Sequence, residues 1–324
     1  MLIPILLFIL GLVLLIKGGD WFVDGATGIA HRLHIPELII GATVVSIGTT
    51  LPEVMVSVTA AIKGQGATAY GNAIGSIICN TSLIAAVTMA VRPSKLDRKA
   101  MLLPVSFFFG SAAIYAAVAY TTGDFSRIMG IGLLVIFAVY MFVLISQGRK
   151  SGDHALGDDA QQQEEPEGKA WKDILLLVVG AALIAVGARL LVDNGTKIAD
   201  ALGVPESVIA LTFVALGTSL PELVTAIVSL VKGHGALSLG NIIGANLFNL
   251  VLVSGASMTF APFSIPSEKL IGGMNASLVV DVPLMAAVML LMTLPILFRG
   301  KSHRWQGILL LCIYAAYCVF QFAL

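Results

Sequence analysis

The chain has 324 residues, 57% hydrophobic and only 12% charged, and its mean hydropathy is +0.95. Soluble domains carry about 25% charged residues, so this is the composition of an integral membrane protein with the lipid bilayer as its first partner. Nineteen basic residues balance 19 acidic ones, which gives no basis for nucleic-acid binding, and Cys79, Cys312 and Cys318 lie in apolar segments that suit neither a disulfide framework nor a zinc site.

A stretch of about 20 apolar residues crosses a bilayer. Such stretches predict spans near 2–24, 36–62, 70–91, 99–121, 127–147, 172–198, 205–231, 239–260, 275–298 and 303–323. Residues Met1 to Ile16 lack a positive leader and a small-residue cleavage site, so they read as part of the first span. The one long polar stretch, Gln147 to Lys172, contains Gln161-Gln162-Gln163-Glu164-Glu165-Pro166-Glu167-Gly168 and has the composition of a solvated hinge. It divides the spans five and five. The expected organisation is a first unit at 1–147, a linker at 148–171 and a second unit at 172–324.

Basic residues set the orientation. With the N-terminus outside, the inner loops hold Arg32, Arg92, Lys95, Arg98, Lys99, Arg149, Lys150, Lys169, Lys172, Lys232, Arg299, Lys301 and Arg304. The outer loops hold Lys63, Arg127, Lys197 and Lys269. This asymmetry predicts both termini outside and the linker in the cytoplasm.

Aligning residue n with n+169 matches 22–83 to 191–252 without a gap, at 26 identical positions of 62. The strongest block pairs Gly48-Thr49-Thr50-Leu51-Pro52-Glu53 with Gly217-Thr218-Ser219-Leu220-Pro221-Glu222. Apolar bias does not produce matched Thr, Pro, Glu and Asn at fixed spacing, so the chain is an internal duplication. Five spans per copy is an odd number, which turns the second copy upside down. The expected fold is therefore all-α: ten transmembrane helices in two inverted five-helix repeats, with helices 2 and 7 discontinuous at the centre.

Glu53 and Glu222 fall near the middles of spans two and seven, whereas Asp20, Asp24, Asp193 and Asp281 lie nearer span ends. Facing carboxylates repel, so they hold cations or a proton. Oxygen ligands suit Ca²⁺ and Na⁺. The block supplies carboxylates, the carbonyls released by Pro52 and Pro221, and the hydroxyls of Thr49, Thr50, Thr218 and Ser219. In the second matched block, Asn72, Ser76 and Asn80 share a helix face, as do Asn241, Ala245 and Asn249. Helix-packing glue and ligation by Asn80 and Asn249 are both open readings of that face.

Together, these paired blocks resemble the alpha-repeats of the cation/Ca²⁺ antiporter superfamily, and its prokaryotic Na⁺/Ca²⁺ exchanger branch in particular. The resemblance runs through both copies. It implies a secondary active antiporter exchanging Na⁺ for Ca²⁺ by alternating access at a shared midplane site, with no cofactor, no enzymatic chemistry and no obligate protein partner. The implied membrane is the prokaryotic inner membrane. Carried across, Glu53 and Glu222 are the shared ligands, Thr49 and Thr218 add oxygens for Ca²⁺, and Thr50, Ser219 and Ser76 flank them for Na⁺. The carbonyls of Ser46 and Ala215 complete those Na⁺ positions, and Asn80 and Asn249 the central ring. Asn249, where the K⁺-dependent branch carries Asp, points away from K⁺ cotransport. Ala245, where relatives often have Ser, and Ile77, where many have Asn, alter the outer Na⁺ positions. H⁺/Ca²⁺ exchange is the alternative.

Overall fold

The structure, a computed structural model, describes residues 2–158, 170–202, 217–267 and 270–323. Among these residues the chain forms ten helices: α1 (Leu2–Arg32), α2 (Glu37–Ile62), α3 (Gly66–Val91), α4 (Arg98–Thr121), α5 (Arg127–Asp158), α6 (Ala170–Ala201), α7 (Leu220–Lys232), α8 (Gly235–Phe260), α9 (Ser277–Arg299) and α10 (Arg304–Ala323). Eight of them, all but α7 and α10, are long and apolar enough to cross a membrane. The apolar face of such a helix satisfies its own backbone and leaves only side chains for lipid.

Local chemistry sets the ends. Pro36 precedes α2, whose first residue is the acidic Glu37. The Asp97 carboxylate accepts from the Lys99 N–H at 2.9 Å and caps α4. Gly233 and Gly300, at φ 91° and 69°, take the left-handed turn that closes α7 and α9.

Among the described residues, four helices carry a π-helical segment, at Gly41–Val45 in α2, Asn80–Ala85 in α3, Asn249–Val253 in α8 and Ser277–Asp281 at the start of α9. A π turn inserts a residue and shifts the hydrogen-bond ladder, so backbone carbonyls become available. One of them, the carbonyl of Ala42, accepts from the Tyr140 hydroxyl of α5 at 3.0 Å.

Helices α1 and α6 form one antiparallel pair. Gly11, Gly18 and Gly25 recur every seven residues on α1 and meet the α6 backbone near Gly187, Gly180 and Asp173. A Cβ on Gly18 would lie 2.9 Å from the Gly180 carbonyl, so only glycine permits this approach. At one end Arg32 Nε sits 2.5 Å from Asp173 Oδ2. The main core is built around α8 and α3, the two most enclosed spans, with α4, α5, α9 and α10 packed on them.

Loops also cross between the halves. Ribbon β1 (Asp124–Phe125) pairs antiparallel with β2 (Phe263–Ser264), and an isolated bridge joins Lys95 to Lys301. A second small hairpin joins β3 (Leu270–Ile271) to β4 (Met274–Asn275).

Three expectations change. The first helix runs past residue 24 to Arg32, because nothing breaks it before Pro36 and the Arg32–Asp173 ion pair holds its end. Helix α5 continues beyond 147 to Asp158, so the polar linker begins as helix; extending an existing helix adds one hydrogen bond per residue fixed. The expected break at Pro52 is absent: Ser46–Ile62 is continuous α-helix through it, and the irregularity in α2 lies upstream at Gly41–Val45. In the second copy α7 begins at Leu220, and residues 203–216, covering most of the first half of the expected span 205–231, lie outside the described residues.

Candidate functional site

The motif helix of each half packs against the π segment of the other. The 46–62 part of α2 meets Asn249–Val253 of α8, and α7 meets Asn80–Ala85 of α3. These contacts bring Glu53 and Glu222 within electrostatic range of each other. Both carboxylates are completely buried, as are Asn80, Asn249 and Thr50, and Ser219 is nearly so.

Among the described residues, none of these six side chains has a hydrogen-bond partner. Both oxygens of each glutamate, both amide atoms of each asparagine, and the hydroxyls of Thr50 and Ser219 are unpaired. A native interior leaves few polar atoms unsatisfied, and each costs about 1–3 kcal/mol when it does. Ten such atoms on four helices therefore form a buried polar cluster able to receive a solute. The donor set is hard oxygen: carboxylate, amide carbonyl and hydroxyl, which is what Na⁺ and Ca²⁺ require.

The two glutamates are held differently. Glu222 lies in the first turn of α7, with Pro221 at the start of that helix, so the positive end of the helix dipole faces it. Glu53 lies within a continuous helix, where Pro52 offers no N–H and the Gly48 carbonyl loses its usual partner.

The other expected residues divide. Thr49 is buried beside Glu222, its hydroxyl 3.3 Å from Asn241 Oδ1 and 3.5 Å from the Ser46 carbonyl. The Ser46 hydroxyl directs its proton at backbone oxygens, 2.7 Å from the Gly41 carbonyl and 2.9 Å from that of Asn241. Ser76 is buried one turn before Asn80. Thr218 is half-buried in the turn that precedes α7. Ala215 lies outside the described residues.

The shared helix face expected of Asn72, Ser76 and Asn80 resolves into two roles. The Asn72 amide donates to Ser57 Oγ at 2.8 Å and to the Glu53 carbonyl at 3.3 Å, joining α3 to α2 within one half. Asn241 does more. Its amide donates to Thr225 Oγ1 at 3.0 Å, and its Oδ1 accepts from Ser46 and Thr49 at 3.2 and 3.3 Å, so it bridges the halves beside the site. Thr225, Asn246 and Ser82 are buried polar residues near the centre that the repeat did not single out. Their mates are Val56, Ile77 and Val251, and a search for matched pairs passes over them.

A small, partly open cleft lies against this cluster, lined by Phe22, Gly48, Thr49, Pro52, Ala181 and Pro221. It lies among α1, α2, α6 and α7.

Comparison with known proteins agrees with this architecture. The sequence profile of the family described as sodium/calcium exchanger protein matches residues 3–146 and 172–323. The sodium/calcium exchanger MaX1 of Methanosarcina acetivorans is 32% identical over 350 residues, covering 98% of both chains. The inner membrane protein YrbG of Escherichia coli is 36% identical over 265 residues, 81% of each. Solved structures of the sodium-calcium exchanger NCX_Mj, soaked with Na⁺, Ca²⁺ or Sr²⁺, superpose with a TM-score of 0.78 at 32% identity over 97% of each chain.

Proposed function

The chain belongs to the sodium/calcium exchanger protein family, and from that premise we propose that it is a secondary active antiporter exchanging Na⁺ for Ca²⁺ at the Glu53–Glu222 site. The observation that carries the reading is the set of six buried side chains, three from each copy at the same offset, whose polar atoms have no partner among the described residues. Glu53 and Glu222 are the ligands shared by both ions. Thr49, Thr218, Asn80 and Asn249 contribute to the Ca²⁺ position, and Thr50, Ser219, Ser76 and the Ser46 and Ala215 carbonyls flank it for Na⁺.

Coupling follows from charge. An uncompensated carboxylate at the bilayer centre costs on the order of 2.5–3.5 kcal/mol, and the empty pair carries two. Several Na⁺ ions, or one Ca²⁺, neutralise it. Only then is closing the site away from water inexpensive, so the protein switches faces loaded and the two fluxes are tied together.

The arrangement fits ten spans in two inverted repeats, 1–147 and 172–324 about the 148–171 linker. The antiparallel run of α1 beside α6 supports this, as does loop pairing that links 92–97 to 300–303 and 122–126 to 261–266. The basic residues favour both termini outside the cell membrane. Purified protein in liposomes, given Na⁺, K⁺ or H⁺ as the sole gradient, should accumulate ⁴⁵Ca²⁺ only against Na⁺. Glu53→Gln and Glu222→Gln should each abolish that flux. Uptake driven by H⁺ with Na⁺ absent would replace the sodium reading with the proton one, and flux surviving either substitution would remove the site.

A further inference from the structure

The two copies of the repeat have different conformations, and the difference lies where α7 meets α1 and where α2 meets α6. Lys232, the last residue of α7, sits 2.7 Å from Asp24 Oδ1 and 3.5 Å from Asp20 Oδ1, and it donates to the Asp20 carbonyl at 3.0 Å. The contact continues inward, with Val224 and Val228 of α7 filling the space over Gly19 of α1. On this face, which also carries Arg32 and Asp173, α7 is fastened to α1.

The repeat mates of Lys232 and Asp24 are Lys63, at the end of α2, and Asp193, near the far end of α6. They are not paired. Lys63 makes no ion pair among the described residues, and Asp193 turns to Arg189 on its own helix, 3.6 Å away, the two side chains 54% and 84% exposed. Met55, the mate of Val224, is 68% exposed. Pro52 is half-exposed where its mate Pro221 is buried. Ion pair and apolar packing thus differ in the same sense: one face is closed and its symmetry mate is open.

We propose that Lys232–Asp24 and Lys63–Asp193 are alternating latches, the first holding the state seen here and the second forming in the opposite state. The proposal rests on the antiport reading, which requires two end states. When copies related by inversion exchange conformations, contacts made by one copy pass to their mates in the other. The latches are unequal. Asp20, which gives Lys232 a second carboxylate, is matched by Arg189, which repels Lys63 and already holds Asp193. The state seen here is therefore the favoured one when the site is empty. Because these pairs are solvent-accessible, losing either shifts the balance by about two- to fivefold, and Arg189→Asp, which supplies the missing carboxylate, shifts it towards the opposite state.

The test is crosslinking in full-length protein in liposomes, with Cys79, Cys312 and Cys318 replaced by Ala. Asp24→Cys/Lys232→Cys and Lys63→Cys/Asp193→Cys pairs are treated with a short cleavable bis-thiosulfonate. Both pairs should crosslink, with Arg189→Asp raising the yield of the second and lowering that of the first by two- to fivefold. Crosslinking the second pair should stop Na⁺-driven ⁴⁵Ca²⁺ flux, and cleaving the linker should restore it. Single charge reversals at Lys63 and Asp193 should each slow exchange, and the double reversal should recover it. A Lys63→Cys/Asp193→Cys protein that transports but never crosslinks, or keeps transporting once crosslinked, overturns the latch. Absence of Na⁺-driven flux in the unmodified protein overturns the sodium reading instead and leaves the crosslinking result to stand on its own.

Discussion

Asn241 touches Ser46 and Thr49 of the first copy and Thr225 of the second, so truncating it reaches both halves. Asn241→Ala removes the amide that ties Ser46, Thr49 and Thr225 together and should cost about 0.5–1.5 kcal/mol of stability. Its repeat mate gives the control. Asn72→Ala should lose similar stability through Ser57 but leave Thr49 in place, so thermal unfolding will fall for both variants and Ca²⁺ affinity mainly for Asn241→Ala. Asn249→Asp probes charge: with a third carboxylate in the site, the usual ion load leaves one charge uncompensated. At about 2.5–3.5 kcal/mol, Na⁺-driven flux should drop by roughly two orders of magnitude, with part recovered when K⁺ is supplied. The chemistry of these positions was legible because duplication marks it twice. Glu53 with Glu222, and Asn80 with Asn249, are pairs that apolar bias cannot generate. Asn241 stayed hidden, since helix periodicity puts Asn72 and Asn80 on one face and cannot tell which amide reaches a neighbouring helix and which is left free.

Along the elements, two prolines at matched positions do different work. Pro52 sits inside a continuous helix, whereas Pro221 opens α7. Pro52→Ala returns an N–H to the Gly48 carbonyl, so it should raise stability by up to about 3 kcal/mol and lower ion affinity. Pro221→Ala should change stability little, because the first turn of a helix lacks a partner for that N–H anyway. Calorimetry paired with flux separates the two. The α1–α6 contact allows an equally direct comparison. Gly18→Val drives a side chain into the Gly180 backbone and should abolish transport, while Gly71→Ala, with nothing within 4 Å, should not. The order of the helices along the chain was readable from hydropathy. The run of α5 into the polar linker and the π segments were not, because both depend on hydrogen-bond geometry that composition does not encode.

At the scale of the whole molecule, the inverted reading requires Lys63 and Lys232 to emerge on opposite faces. In a background without the native cysteines, Lys63→Cys should react with an impermeant maleimide only from outside the cell, and Lys232→Cys only in inverted vesicles. Labelling of both from one side would refute the inversion. The seven-residue glycine rhythm of the α1–α6 pair emerges only when the two helices are seen side by side. The π segments carry a different kind of information. Those starting at Asn80 and Asn249 are 169 residues apart, the same offset as the repeat, so the shift in the hydrogen-bond ladder recurs with the duplication and opens in each copy at a candidate ligand asparagine.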